Sequence, residues 1–131
     1  HLVMSTLHTI DAVQTVDRMI DVFPPDQQSQ IRLQISQALL AILSQTLLPR
    51  ASGKGMVAAF EVVLANPSIR NLIREGRTYE IPTYMRIHQD AGAQSLDDAL
   101  VYLVQSRKVT RDAAMQITSD PKRLAKLLIA Q

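Results

Sequence analysis

The prolines and glycines of this chain fall where its hydrophobic patterns break, and they divide it into short helices around one β-hairpin. Val13, Val16, Ile20 and Phe23 recur at the spacing of one helical face, which Pro24-Pro25 stops. Pro25 and Asp26 suit the first turn of a second helix, in which Ile31, Ile35, Leu39 and Ile42 mark one face and Leu33 and Leu40 widen it. The second half of that helix is expected to be enclosed. After Gln45, the segments Thr46 to Arg50 and Met56 to Leu64 predict a hairpin across the turn Ala51 to Gly55. Pro49 is held to an edge or an end of it, because proline cannot donate to a ladder. Asn66-Pro67 opens a helix that Gly76 ends, Pro82 opens one that ends near Gly92, and Ser95-Leu96-Asp97-Asp98 resembles a capping box. Leu96, Ala99, Leu100, Leu103 and Val104 form the cleanest amphipathic face. Thr110 and Asp120-Pro121 cap two further helices, the last using Leu124, Leu127 and Leu128.

One segment stands apart. His1 to Leu7 is short, apolar and partly β-branched, which predicts a buried strand feeding the first helix, with Thr9 as N-cap and Asp11 in the first turn. Such a strand belongs among parallel neighbours, and too few strand candidates follow to supply them. The pattern therefore predicts a chain truncated at its start, mainly α with a small β component.

Composition removes several functions. With 47% hydrophobic and 20% charged residues the chain is a folding sequence rather than a disordered one. The absence of cysteine excludes disulfides, thiolate zinc sites and cysteine nucleophiles. A net charge of +2 does not call for nucleic acid, and two Phe and three Tyr with no long basic run offer little for base stacking. No stretch approaches the ~20 apolar residues of a membrane span and no signal peptide opens the chain, so the expectation is a cytosolic protein without membrane insertion.

The candidate sites are few. Gly53-Lys54 fails the phosphate-loop pattern, since Leu48 stands at the earlier glycine position and Gly55 follows the lysine, so a hairpin turn is expected. His1, His8 and His88 are too scattered for a metal triad, and no metal site is expected. His8 lies where the expected strand becomes a helix, the end of a strand at which ligands collect in open α/β sheets. In Ser68-Ile69-Arg70-Asn71-Leu72-Ile73-Arg74-Glu75, the apolar Ile69, Leu72 and Ile73 share one face and Arg70 and Arg74 another. From the pattern alone, a solvated charged rim and a binding face both fit. Arg111, Lys122, Arg123 and Lys126 suit helix ends and solubility.

The run His1 to Thr9 resembles the "His box" of the type II/IV secretion ATPase superfamily, and Asp17 to Pro24 resembles the segment that follows it. Gln45 to Arg50 is similar to the stretch after the long helix of that family. Ser68 to Glu75 resembles the AIRNLIRE motif of its pilus-retraction, or PilT, branch, with Ser68 in place of the first Ala. The likeness continues through Ile81-Pro82, Gly92-Ala93-Gln94 and Asp97 to Leu100 and so covers nearly the whole chain. Secretion and pilus-extension members usually carry a cysteine-based zinc element here, and its absence favours the retraction branch over a type II secretion or pilus-assembly ATPase. A helical protein-interaction module outside the family is the other alternative.

The resemblance implies the C-terminal portion of a RecA-like α/β ATPase, a hexameric cytoplasmic motor at the inner-membrane pilus base that uses ATP and Mg to power pilus retraction and twitching motility. Residues 1–66 would end the nucleotide-binding core and 67–131 would form a helical subdomain. His1, His8 and Thr9 would approach the nucleotide, His8 as a γ-phosphate sensor, and Ser68 to Glu75 would serve retraction and contact with the platform machinery. The phosphate loop, the magnesium-holding acids and the transition-state arginines would lie before His1, and these 131 residues alone are expected neither to hold nucleotide nor to hydrolyse ATP.

Overall fold

A computed structural model describes residues 1–130. Helices α1 (Ala12–Asp21) and α2 (Gln28–Ala38) precede an antiparallel hairpin of β1 (Ala41–Pro49) and β2 (Met56–Leu64). Helix α3 (Pro67–Arg74), a 3-10 turn (Thr78–Glu80), and helices α4 (Ile81–Ile87), α5 (Leu96–Gln105), α6 (Arg111–Ile117) and α7 (Pro121–Ile129) follow. The hairpin register runs from Ala41 opposite Leu64 to Pro49 opposite Met56, so Pro49 closes its strand as its missing N–H requires.

The hairpin organises the core because its inner face reaches two clusters. Ile42 and Val63 pack with Ala12, Val16 and Ile20 of α1, Ile69, Leu72 and Ile73 of α3, and Ile81. Leu48 and Ala59, toward the turn, pack with Ala99, Leu100 and Leu103 of α5, Val109, Ala114 of α6 and Leu124 of α7. The helix starts follow local capping. Asn66 accepts from the Ile69 amide at 2.9 Å, and Thr110 and Asp120 accept from Ala113 and Arg123 at 3.2 and 3.0 Å. Ser95 and Asp98 form the reciprocal capping box. Gly76, at φ 71, turns the chain after α3 in the left-handed region that glycine enters without steric cost.

Four local expectations are corrected. Residues 1–9 form no strand, and Leu2, Val3 and Met4 are exposed rather than buried. A strand needs a neighbour's ladder, and the sheet consists of β1 and β2 paired with each other. Asp11, not Thr9, is the N-cap of α1; its carboxylate accepts from the Gln14 amide at 2.7 Å. Helix α2 ends at Ala38, and Leu33 and Leu40 are exposed. Ile42 is buried as a strand residue opposite Val63, because the nine residues of β2 draw all of Ala41–Pro49 into the ladder. Helix α4 stops at Ile87, well before Gly92. The chain leaves it to bring Asp90 onto the Asn66 amide, at 2.6 Å.

Candidate functional site

Helix α3 contains most of the motif Ser68 to Glu75, and its three faces do different things. Ile69, Leu72 and Ile73 are buried in the first core cluster, as the i, i+3, i+4 spacing predicts. Arg70 is not free on the surface. Its guanidinium donates to the backbone carbonyls of Ser36 at 2.6 Å and Gln37 at 2.8 Å. These carbonyls belong to the last turn of α2, where no intrahelical amide reaches them, so Arg70 caps α2 from α3. Arg70 and Arg74, four apart, thus hold different partners, the end of α2 and Asn71.

The third face borders an open groove of about 740 Å³ between α3 and α4, lined on one side by Ser68, Asn71 and Arg74 and on the other by Tyr84, Ile87 and His88. Arg74 is exposed and donates to the Asn71 side-chain oxygen. Opposite, the Tyr84 and His88 rings stack at 4.3 Å between centroids. Asn66 donates to the Tyr84 hydroxyl at 2.9 Å and to Asp90, and Tyr84 donates to Asp90 at 3.1 Å, which fixes that wall. At one end Arg77 forks onto Glu80 at 2.8 and 2.7 Å and lies 3.8 Å from Glu75. The Arg77 hydrogen bond holds the Glu80 carboxyl below its ordinary pKa and raises that of Arg77.

His1 and His8 lie on the exposed opening segment, and among the described residues no hydrogen bond or ion pair joins either to α3. The half-buried Thr9 does engage the fold. Thr15 donates to the Asp11 carbonyl at 2.7 Å, which leaves the 2.6 Å contact between the Thr9 and Thr15 hydroxyls to be donated by Thr9. The helix that follows is held by two long-range contacts. Glu61 of β2 accepts from the Ala12 amide at 2.9 Å, and Asp17 accepts from Thr78 at 2.8 Å. Burial raises the Glu61 carboxyl pKa and nearby Asp11 adds to the rise, while the Ala12 amide opposes it. Helix α1, leaving the His8-Thr9 segment, thus shares one core with the motif helix.

Lys54 is exposed in the hairpin turn, where Gly53 and Gly55 adopt φ 75 and 77. Asp97 is buried and joins the last three helices, accepting from Thr118 at 2.6 Å and Arg123 at 2.8 Å. Sequence reasoning missed Glu61, Asn66 with Asp90, and Asp97 with Arg123 as tertiary contacts. The signal available for them was a polar residue within an otherwise apolar or capping stretch. No helix of the described residues is long and apolar enough to cross a membrane.

The family described as type II/IV secretion system protein matches residues 1–120. The chain belongs to that family. Within it, a twitching motility protein of Neisseria gonorrhoeae is 42% identical over 114 residues, 87% of this chain and 30% of the relative. The type IV pilus retraction ATPase PilT of Pseudomonas aeruginosa is 38% identical over 122 residues, 93% of this chain and 35% of that protein. A crystal structure of the pilus retraction motor PilT with bound ADP superposes with a TM-score of 0.82 at 39% identity, over 96% of this chain and 35% of that one. The Legionella pneumophila ATPase DotB shares the fold at 17% identity, with a TM-score of 0.67 over 84% of this chain and 30% of that one. The chain spans about a third of the length of these secretion-family relatives.

Proposed function

We propose that this chain is the C-terminal portion of an ATP-driven motor that powers type IV pilus retraction and twitching motility. The observation that supports this reading most is the match to the retraction motor along 96% of the chain, at 39% identity. Residues 1–66 would complete the nucleotide-binding core and 67–131 would form the helical subdomain, in a ring of six subunits in the cytoplasm at the inner-membrane pilus base. By the family resemblance, the magnesium-holding acids would lie before His1. The phosphate loop would come from there too, and the 131 residues alone would not turn over ATP.

In this reading His1, His8 and Thr9 face nucleotide in the assembled motor. An imidazole at His8 can change its hydrogen bonding as the γ-phosphate leaves, which makes it a sensor rather than a base. The change has a mechanical route, since Thr9 bonds α1 and α1 packs in one core with Ile69, Leu72 and Ile73. Of the motif, Ser68, Asn71, Arg74 and Glu75 would face the pilus platform machinery, while Arg70 stays on the end of α2. His8→Ala in the full-length protein tests the sensor role. ATP turnover is expected to fall with an unchanged melting temperature, because His8 is exposed. An unchanged rate, or a fall in melting temperature without a specific rate effect, would overturn it.

A further inference from the structure

We propose that the groove between α3 and α4 is a docking site for a protein segment that presents a carboxylate next to an apolar side chain. The proposal deepens the reading of Ser68 to Glu75 as the partner-facing motif and rests on it.

Charge complementarity identifies the occupant. Around the groove Glu80 is held by Arg77, which also lies beside Glu75. Arg70 is on another face, tied to the end of α2. Among the described residues that line the groove, Arg74 carries the accessible guanidinium, oriented by a neutral partner, Asn71, which takes up one donor and leaves others of the fork open. The apolar half of the recognition is beside it. Ile87 lines the same groove with 70% of its surface exposed, next to the stacked Tyr84 and His88 rings. The exposed hydroxyl of Ser68, two turns back along α3, supplies a further donor at the far end. Ser68 and Arg74 are about 9 Å apart along the helix axis, the span of roughly three extended residues. The site is preorganised: Asn66, Tyr84 and Asp90 bond one another across the junction of α3 and α4, so a partner need not order that wall on binding.

The test is selection of a displayed library of random 12-residue peptides on the full-length protein, followed by affinity measurement of the enriched peptides on variants. The expected result is enrichment of Asp or Glu within four residues of Leu, Ile or Phe. Affinity should fall at least ten-fold on Arg74→Glu and stay unchanged on Lys54→Glu, a charge reversal in the exposed hairpin turn. Amide shift changes on peptide binding should map to α3 and α4, a readout that needs no variant and so covers failure of Arg74→Glu to fold. No enrichment, enrichment without acidic residues, equal binding by Arg74→Glu, or shifts mapping elsewhere would overturn the proposal. Retraction measured in cells separates it from the functional reading. Peptide binding that depends on Arg74, together with normal retraction by the Arg74→Glu motor, would retain the groove and sink the motif's role in retraction.

Discussion

Arg70→Ala is expected to destabilise the protein while Arg74→Ala leaves it nearly unchanged, although both arginines sit four apart in one motif. Arg70 donates two hydrogen bonds, at 2.6 and 2.8 Å, to carbonyls in the last turn of α2. A hydrogen bond to a charged group is worth about 1.5–3 kcal/mol, and a cation at a helix C-terminus adds about 0.3–1 kcal/mol. Arg70 is half-exposed, so water replaces part of what is lost. The expected cost is therefore about 1.5–3 kcal/mol, well below the sum for two buried bonds. With an unfolding entropy of about 2.1 cal/mol/K per residue, 131 residues give roughly 0.28 kcal/mol per degree, hence a fall of about 5–10 °C. Arg74 is exposed, and its removal should stay within about 0.5 kcal/mol, or roughly 2 °C. Arg70→Lys should recover part of the loss, since both bonds leave one terminal nitrogen and an ammonium also carries several donors, but on a shorter and more strongly hydrated group. Thermal unfolding by circular dichroism on purified variants is the assay. Equal melting temperatures for Arg70→Ala and wild type would refute the cap and return Arg70 to the solvent-facing surface.

Two further outcomes follow from the site. Glu61 has a folded pKa raised mainly by burial, so its contribution to stability is full below its unfolded pKa and is lost as pH rises through the folded value. Glu61→Gln keeps an oxygen for the Ala12 amide without the charge, and should flatten the decline in urea-unfolding stability from acidic to neutral pH. A decline as steep as in wild type would show that other groups carry it. ATP should bind the 131 residues no more tightly than about millimolar, since two exposed histidines lack the backbone amides of a phosphate loop. Micromolar affinity by calorimetry would show that these residues form a phosphate site of their own.

The sequence by itself determined the elements whose signals lie within a turn of the residues they govern. Asn66, Ser95, Thr110 and Asp120 cap the helices they were expected to cap, because a cap bonds an amide two or three residues away. The hairpin, Pro49 at its end and Gly76 after α3 were legible for the same reason. The buried stripe of α3 was legible from its period. Only the tertiary structure decided the rest. Arg70 looked like surface charge until the end of α2, 34 residues earlier, met it. Glu61 bonds Ala12 across 49 residues, and Asn66 bonds Asp90 across 24. The stretch His1 to Leu7 has the composition of a buried strand but forms none, because composition sets only a preference for extended backbone. A ladder also requires a second chain segment at hydrogen-bonding distance, and β1 and β2 pair with each other.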